Sequence, residues 1–142
     1  MTTSGSSGIP TKVVLDTSAY SHFRAGNATV LEWIAGAACI FIPVTVLGEL
    51  EVGFSLGRRG AENRYALKEF LSEPFVDVLD TTSEVSDKYA QVFVALRRSG
   101  TPIPINDVWI AAATLTANAD LLTFDSDFEN IDGLRCTVLQ PT

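Results

Sequence analysis

The chain has few of the residues that form zinc or disulfide sites. Its 142 residues include two cysteines and one histidine. Cys39 and Cys136 lie far apart, without the close spacing of a zinc site, so we interpret both as small, unpaired core residues. Basic residues are also few, with 10 lysines and arginines against 17 acidic residues and a formal net charge of −7. This balance argues against a protein that coats nucleic acid through a broad basic face.

The first ten residues lack an apolar run. Residues 1–10 are rich in Ser, Thr and Gly, which is typical of a flexible segment and unlike a signal peptide or membrane span. Residues 4–8 also resemble a cloning remnant. Because 46% of the residues are apolar, the remaining residues 11–142 are expected to form one domain. With unpaired thiols and no targeting signal, the expected compartment is the cytoplasm, and no membrane association is expected.

Short apolar runs alternate with helical patterns along the chain. The runs predict strands at residues 12–15, 39–43, 75–79, 121–124 and 135–139. Apolar residues at helical spacing predict helices at residues 28–37, 45–56, 61–72, 81–100 and 106–117. Leu56 is predicted to lie on the apolar face of the second helix. This alternation predicts a three-layer α/β fold, with a central parallel sheet flanked by helices.

Four carboxylates interrupt apolar stretches, where an unpaired charge would be costly. They are Asp16, Glu49, Asp107 and Asp125. Asp16 and Asp125 each follow a predicted strand directly, and ligands of such sheets bind beyond the carboxyl ends of the strands. Converging carboxylates repel one another unless a cation neutralises them. Oxygen ligands without a His or Cys cluster favour Mg²⁺ or Mn²⁺ over zinc, and such a site suits phosphodiester hydrolysis.

Each carboxylate also has a local structural interpretation. Asp107 would stabilise or cap the first turn of a helix. Asp16 could simply begin a turn, and Asp125 could do the same or cap the segment that contains Asp127. Glu49 lies inside a helix with mainly apolar neighbours, so a surface role explains it least well. The four together are harder to explain by local structure than any one alone.

Four segments occur in the order of a known set of motifs. They are residues 14–18 (VLDTS), 48–50 (GEL) with Gly53, 106–112 (NDVWIAA) and 122–128 (LTFDSDF). Together they resemble the PIN domain family, and most closely its VapC-type toxins from bacterial toxin–antitoxin pairs. The resemblance extends over residues 12–139.

The resemblance implies a PIN-like fold and a Mg²⁺- or Mn²⁺-dependent endoribonuclease. It also implies a homodimer that a cognate antitoxin protein silences. By match of motif, the catalytic and metal-binding acids would be Asp16, Glu49, Asp107 and Asp125, with Asp127 as a further metal ligand or as the alternative fourth acid. The supporting polar positions would be Thr17, Ser18, Asn106 and Thr123. Family members often have Asn where Ser18 stands.

Three other functions stay open. In a phosphatase or receiver domain, Asp16 would be a phosphorylated nucleophile, but such sites need a basic partner, and Lys12 is the only lysine nearby. An interaction module without catalysis would not need all four acids. A nuclease for structured DNA would use the same metal chemistry, but the chain is too short to show an added arch or clamp.

Other polar residues are weaker candidates for substrate contact. The arginine pairs at residues 58–59 and 97–98 could contact phosphate, but basic pairs near helix ends are typically solvated. His22 could touch substrate because it lies close to Asp16 in the sequence, although a lone histidine usually packs or is exposed. Trp109 could stack on a base, but burial in its apolar helix is favoured.

Overall fold

The computed structural model describes residues 8–141 and has a five-stranded parallel sheet at its centre. The strands are β1 (Lys12–Leu15), β2 (Cys39–Pro43), β3 (Val76–Leu79), β4 (Asp120–Thr123) and β5 (Cys136–Val138). Their order is β3-β2-β1-β4-β5, and every pairing is parallel. Val13 and Val14 are adjacent on the central strand β1, so their side chains lie on opposite faces of the sheet, and both are fully buried, as expected for a sheet covered on both faces. The predicted parallel α/β architecture is confirmed.

Six α-helices connect these strands. They are α1 (Thr17–Arg24), α2 (Ala28–Gly36), α3 (Val44–Leu56), α4 (Gly60–Leu71), α5 (Ser83–Ser99) and α6 (Ile105–Ala117). A short 3₁₀ helix, Ser126–Asn130, follows β4. The first four helices connect β1 to β2 and β2 to β3, and the chain then crosses from β3 to β4 through α5 and α6. Right-handed crossovers place these two groups of helices on opposite faces of the sheet.

The boundary between β1 and β4 is the switch point of this topology. The chain leaves β1 towards β2 on one side, whereas β4 pairs with β1 on the other side. In parallel sheets, such a boundary opens a crevice at the carboxyl ends of the strands. Leu15 pairs with Leu122, so Asp16, the next residue, lies beside Thr123 at this edge. Helices α3 and α6 also contact each other, although they come from opposite faces.

Helix α1 follows β1 directly, although no helix was predicted between the strand at residues 12–15 and the helix at residues 28–37. Asp16 has extended backbone angles, and its side chain accepts a hydrogen bond from the Ala19 backbone amide at 2.8 Å. Asp16 is therefore the N-cap of α1. Ala19 and Tyr20 are buried on the inner side of this helix. The polar residues that end the strand also begin the helix, and this double role explains the missed helix.

The prediction for Leu56 was wrong. Leu56 is 84% exposed, whereas Leu50 in the same helix is buried. Six residues separate them, which corresponds to a rotation of about 240° around the helix and carries Leu56 away from the core. Cys39 and Cys136 are unpaired, as predicted, but they are half-buried instead of enclosed in the core.

The structure does not test every prediction about the chain ends. Residues 1–7, which make up most of the predicted flexible segment and of the remnant-like stretch, lie outside the described residues. Between residues 8 and 141, none of the helices has the length and apolar character needed to cross a bilayer.

Candidate active site

Asp16 lies at the carboxyl end of β1 and is only 4% exposed. Its Oδ1 accepts hydrogen bonds from the Ala19 amide and the Ser18 hydroxyl, each at 2.8 Å, and its Oδ2 accepts one from the Thr123 hydroxyl at 2.5 Å. Burial is the largest effect and raises the pKa of Asp16 above its ordinary value, and the negative charge of Asp125 adds to this increase. The three hydrogen bonds partly offset it. The three donors hold the carboxylate in one orientation at the edge of the sheet.

Two hydroxyl groups connect Asp16 to the end of β4. Thr123 is fully buried, and its Oγ1 donates to Asp16 while accepting a hydrogen bond from the Asp125 backbone amide at 3.0 Å. The Ser18 Oγ also donates to Asp16, and it accepts a hydrogen bond from the Phe124 backbone amide at 3.1 Å. The start of α1 and the exit of β4 are therefore joined through one carboxylate.

Glu49, on α3, is held by polar side chains from two other helices. The Thr17 hydroxyl, on α1, donates to Glu49 Oε1 at 2.5 Å. The Asn106 amide, on α6, donates to Glu49 Oε2 at 3.4 Å. These contacts bring the residues after β1 and at the start of α6 to the same carboxylate. Each of the four polar residues predicted to support the pocket thus contacts Asp16 or Glu49.

Asp107 lies in the first turn of α6 but does not cap it. Pro104 is the N-cap residue, and no side chain caps this helix. The Asp107 carboxylate has no hydrogen bond or ion pair with residues 8–141. Its half-burial, followed by the charges of other acids, raises the pKa of Asp107 to about 6. Those charges belong, in decreasing order of effect, to Asp125, Glu49, Asp16 and Asp127. The negative charges of the other predicted acids therefore all act on Asp107.

Asp125 and Asp127 differ in their relation to this cluster. Asp125 caps the 3₁₀ helix, because its Oδ1 accepts a hydrogen bond from the Asp127 backbone amide at 2.9 Å. The capping interpretation is therefore correct for Asp125, and the side chain is also half-buried beside the cluster. The charge of Asp125 raises the pKa of Asp107 more than the charge of the exposed Asp127 does. Asp125 also raises the pKa of Asp16.

No basic side chain between residues 8 and 141 forms an ion pair with these acids. The ion pairs in this part of the chain join Arg64 to Glu51 at 2.8 Å and Arg135 to Asp120 at 3.0 Å. Lys12 begins β1, at the opposite end from Asp16, and its Nζ donates to the Ala117 carbonyl at 2.8 Å. The basic partner that a phosphorylated Asp16 would need is therefore not supplied by Lys12.

Of the weaker polar candidates, only one contacts the hydrogen-bond network around Asp16. The arginines at residues 58–59 and 97–98 are exposed. Trp109 stacks on Tyr89, with ring centroids 3.9 Å apart, so it packs between helices. This candidate is His22, which contacts both Ser18 and Phe124 of the hydrogen-bond network. The sequence signal for this contact is the spacing of four residues between Ser18 and His22, which becomes informative once α1 is recognised.

The acidic cluster suits a hydrated divalent cation. Among the described residues, no group of three or more His, Cys, Asp or Glu side chains is arranged to hold a metal ion by itself, although four acidic charges act on Asp107. Mg²⁺ usually binds through one or two carboxylates and keeps several of its waters, so it requires converging oxygens and no closed cage. The donor set therefore fits Mg²⁺ or Mn²⁺ better than zinc, which favours nitrogen and sulfur ligands.

The fold and the cluster define a class of protein: a three-layer α/β domain with an acidic crevice at the switch point of a parallel sheet. The chain belongs to the PIN domain family, whose profile matches residues 13–134. This match confirms the family inferred from the sequence motifs.

Named relatives share most of the chain. It is 28% identical over 124 residues to Ribonuclease VapC5 of Mycobacterium tuberculosis, covering 87% of this chain and 90% of the relative. It is 30% identical over 105 residues to Ribonuclease VapC2 of Rickettsia felis, covering 73% and 77%. Among solved structures, it is similar to VapBC2 from Rickettsia felis bound to a DNA fragment from its promoter. That match has a TM-score of 0.80 at 25% identity and covers 91% of this chain and 99% of the other.

Proposed function

We propose that this chain is a divalent-metal-dependent endoribonuclease and the toxin of a type II toxin–antitoxin pair. One observation carries the metal dependence: Asp107 lies among acids whose charges raise its pKa, and no basic side chain of the described residues pairs with it. The ribonuclease activity is supported by relatives named Ribonuclease VapC that match most of the chain.

The four acids hold the metal in this proposal, and Asp107 has a further role. Asp16, Glu49, Asp107 and Asp125 hold Mg²⁺ or Mn²⁺, with Asp127 as the alternative to Asp125. When bound, the metal polarises the scissile phosphate, lowers the pKa of a bound water and stabilises the leaving oxygen. The Asp107 carboxylate accepts no hydrogen bond from residues 8–141, so its oxygens can orient or deprotonate the attacking water.

The supporting residues keep these carboxylates in place. Thr123 and Ser18 orient Asp16, so its side chain does not need to reorganise when a cation arrives. Thr17 and Asn106 hold the two oxygens of Glu49 between α1 and α6. Pre-organisation by such outer contacts is a common feature of metal sites, and losing one typically costs about 10- to 100-fold in affinity or activity.

Metal loading would also control RNA binding. The formal net charge of −7 repels a phosphate backbone. A bound divalent cation reverses the local charge of the pocket and can attract phosphate there. We further propose an antitoxin partner, supported by the similarity to VapBC2, and a homodimer acting on RNA in the cytoplasm.

The test is cleavage of labelled RNA and DNA by the purified chain, with Mn²⁺ or with EDTA. We expect RNA cleavage that EDTA abolishes and that Asp107→Asn lowers about 100-fold. Asp87→Asn is the matched control, because Asp87 is an exposed acid on α5 outside the cluster. RNA cleavage that survives EDTA would refute the mechanism. Cleavage of DNA alone would indicate a DNA nuclease, and no cleavage of either would favour an interaction module.

A further inference from the structure

His22 contacts the network around Asp16 without touching an acid. It lies in α1 and is half-buried. Its Nδ1 is 2.9 Å from the Ser18 carbonyl oxygen, and its ring stacks on Phe124 with centroids 3.7 Å apart and an interplanar angle of 16°. Since a carbonyl oxygen only accepts hydrogen bonds, Nδ1 carries the proton and donates it. The ring orientation is therefore set by two separate contacts.

The two partners of His22 form one of the two hydroxyl links between Asp16 and the exit of β4. The Phe124 amide donates to the Ser18 hydroxyl, which in turn donates to Asp16. In the sequence, Phe124 lies between Thr123 and Asp125. The Thr123 hydroxyl donates to Asp16. The Phe124 backbone is bonded to Thr123 and to Asp125, so a displacement of the Phe124 backbone would move both residues.

We propose that His22 is a positioning residue of the acidic pocket, which holds the exit of β4 against the start of α1 and so fixes Asp125 relative to Asp16. This inference rests on the proposed function, because the relative position of these carboxylates matters for binding metal and cleaving RNA. His22 acts through Ser18 and Phe124, and an acid misplaced by about 1 Å can lower a reaction rate about 100-fold.

Burial alone does not hold the His22 ring. One side of the residue borders a cavity of about 350 Å³, formed with residues 25–29. Phe124 itself is only partly buried, although it packs against the main core. The stack therefore restricts the rings of His22 and Phe124, and the Nδ1 hydrogen bond further restricts the His22 ring, at a place where core packing is incomplete.

Two variants separate the two contacts, and a third serves as the control. His22→Ala removes both the stack and the Nδ1 donor, whereas His22→Phe keeps a flat ring but lacks the donor. Ser21→Ala is the matched control, because Ser21 is the exposed neighbour of His22 on α1 and its hydroxyl has no hydrogen bond with the described residues. Mn²⁺ affinity is measured by titration calorimetry, and kcat and KM for RNA are measured at saturating Mn²⁺. Thermal unfolding in EDTA shows whether each variant is folded at the assay temperature.

We expect His22→Ala to weaken Mn²⁺ binding about tenfold and to lower kcat about tenfold, the lower end of the range for residues outside the ligand set. The KM for RNA should change less than kcat, because in this proposal His22 acts on the position of the acids, through Ser18 and Phe124, and not on RNA binding. His22→Phe should recover most of both losses, and Ser21→Ala should match the wild type. Adding His22→Ala to Phe124→Ala should cause little further loss, since both substitutions remove the same stack.

Two results would overturn the positioning role. One is a folded His22→Ala variant with wild-type Mn²⁺ affinity and kcat. The other is a loss fully explained by the unfolded fraction at the assay temperature. If the wild type binds Mn²⁺ but cleaves no RNA, the proposed function fails, and the Mn²⁺ affinities still decide the role of His22. If the wild type binds no Mn²⁺, both proposals fail.

Discussion

Asp107→Asn is predicted to stabilise the metal-free fold at neutral pH. The Asp107 carboxylate has no hydrogen bond or ion pair with residues 8–141, so an amide of similar shape removes its charge without breaking a contact. The folded environment opposes that charge, through burial and through the neighbouring acids. Asp16 is a less suitable position for this test, because its carboxylate accepts three hydrogen bonds that an amide would disturb.

The size of the effect follows from the pKa of Asp107. Folding raises this pKa from 3.8 to about 6, and a shift of about two units corresponds to about 3 kcal/mol at most. Because the side chain is half-exposed, solvent screening reduces the expected gain to about 1–2 kcal/mol. The folded pKa lies above the unfolded one, so the wild type loses stability as pH rises from about 4 to about 6. The variant lacks this titration.

Urea denaturation in EDTA, from pH 4 to pH 8, measures this difference. The gain for Asp107→Asn should be absent near pH 4, grow up to about pH 6 and stay constant above it. Asp87→Asn, at an exposed acid outside the cluster, should show no such profile. Saturating Mn²⁺ should favour the wild type, because binding to the folded state adds stability. A gain that is equal at every pH, or a loss at pH 7, would refute the reasoning.

Three further experiments test separate parts of the structure. Thr123→Val should lower the free energy of unfolding by about 1–3 kcal/mol in urea denaturation, because buried groups of Asp16 and Asp125 lose their partner; an unchanged free energy would contradict the network. Asp125→Asn should weaken Mn²⁺ binding in calorimetry more than Asp127→Asn does, and the reverse order would make Asp127 the fourth acid. Tyr20→Phe should not lower the melting temperature, because the buried Tyr20 hydroxyl has no hydrogen-bond partner within residues 8–141. A clear decrease in the melting temperature would contradict this and indicate that the hydroxyl has a partner.

The strands and most helices were predictable because their signals are local. A buried parallel strand is a short apolar run, as in residues 12–15, and helix α5 has both a capping residue, Thr82, and a terminal glycine, Gly100. Helix α1 was not predicted, because Asp16 directly follows a strand and is also the N-cap of this helix. The strand order was not predicted either, since it depends on which distant strands pair.

The members of the acidic cluster were predictable, but their contacts were not. The order of the four motifs identified the acids and the four polar residues predicted to support them. No sequence pattern indicates that the Thr17 hydroxyl on α1 donates to Glu49 on α3, or that the Asp107 carboxylate accepts no hydrogen bond from residues 8–141. The contact of His22 with Phe124 joins residues about 100 positions apart and depends on the pairing of β1 with β4. Such contacts follow from the tertiary fold.

The most direct test of the central claim is the anomalous diffraction of a crystal soaked with Mn²⁺. We predict a peak between the carboxyl ends of β1 and β4, about 2 Å from carboxylate oxygens of the acidic cluster. The same peak should be weak or absent in crystals of Asp107→Asn. A crystal that diffracts well but shows no peak there, or shows Mn²⁺ bound only by acids elsewhere on the surface, would contradict the metal-dependent mechanism.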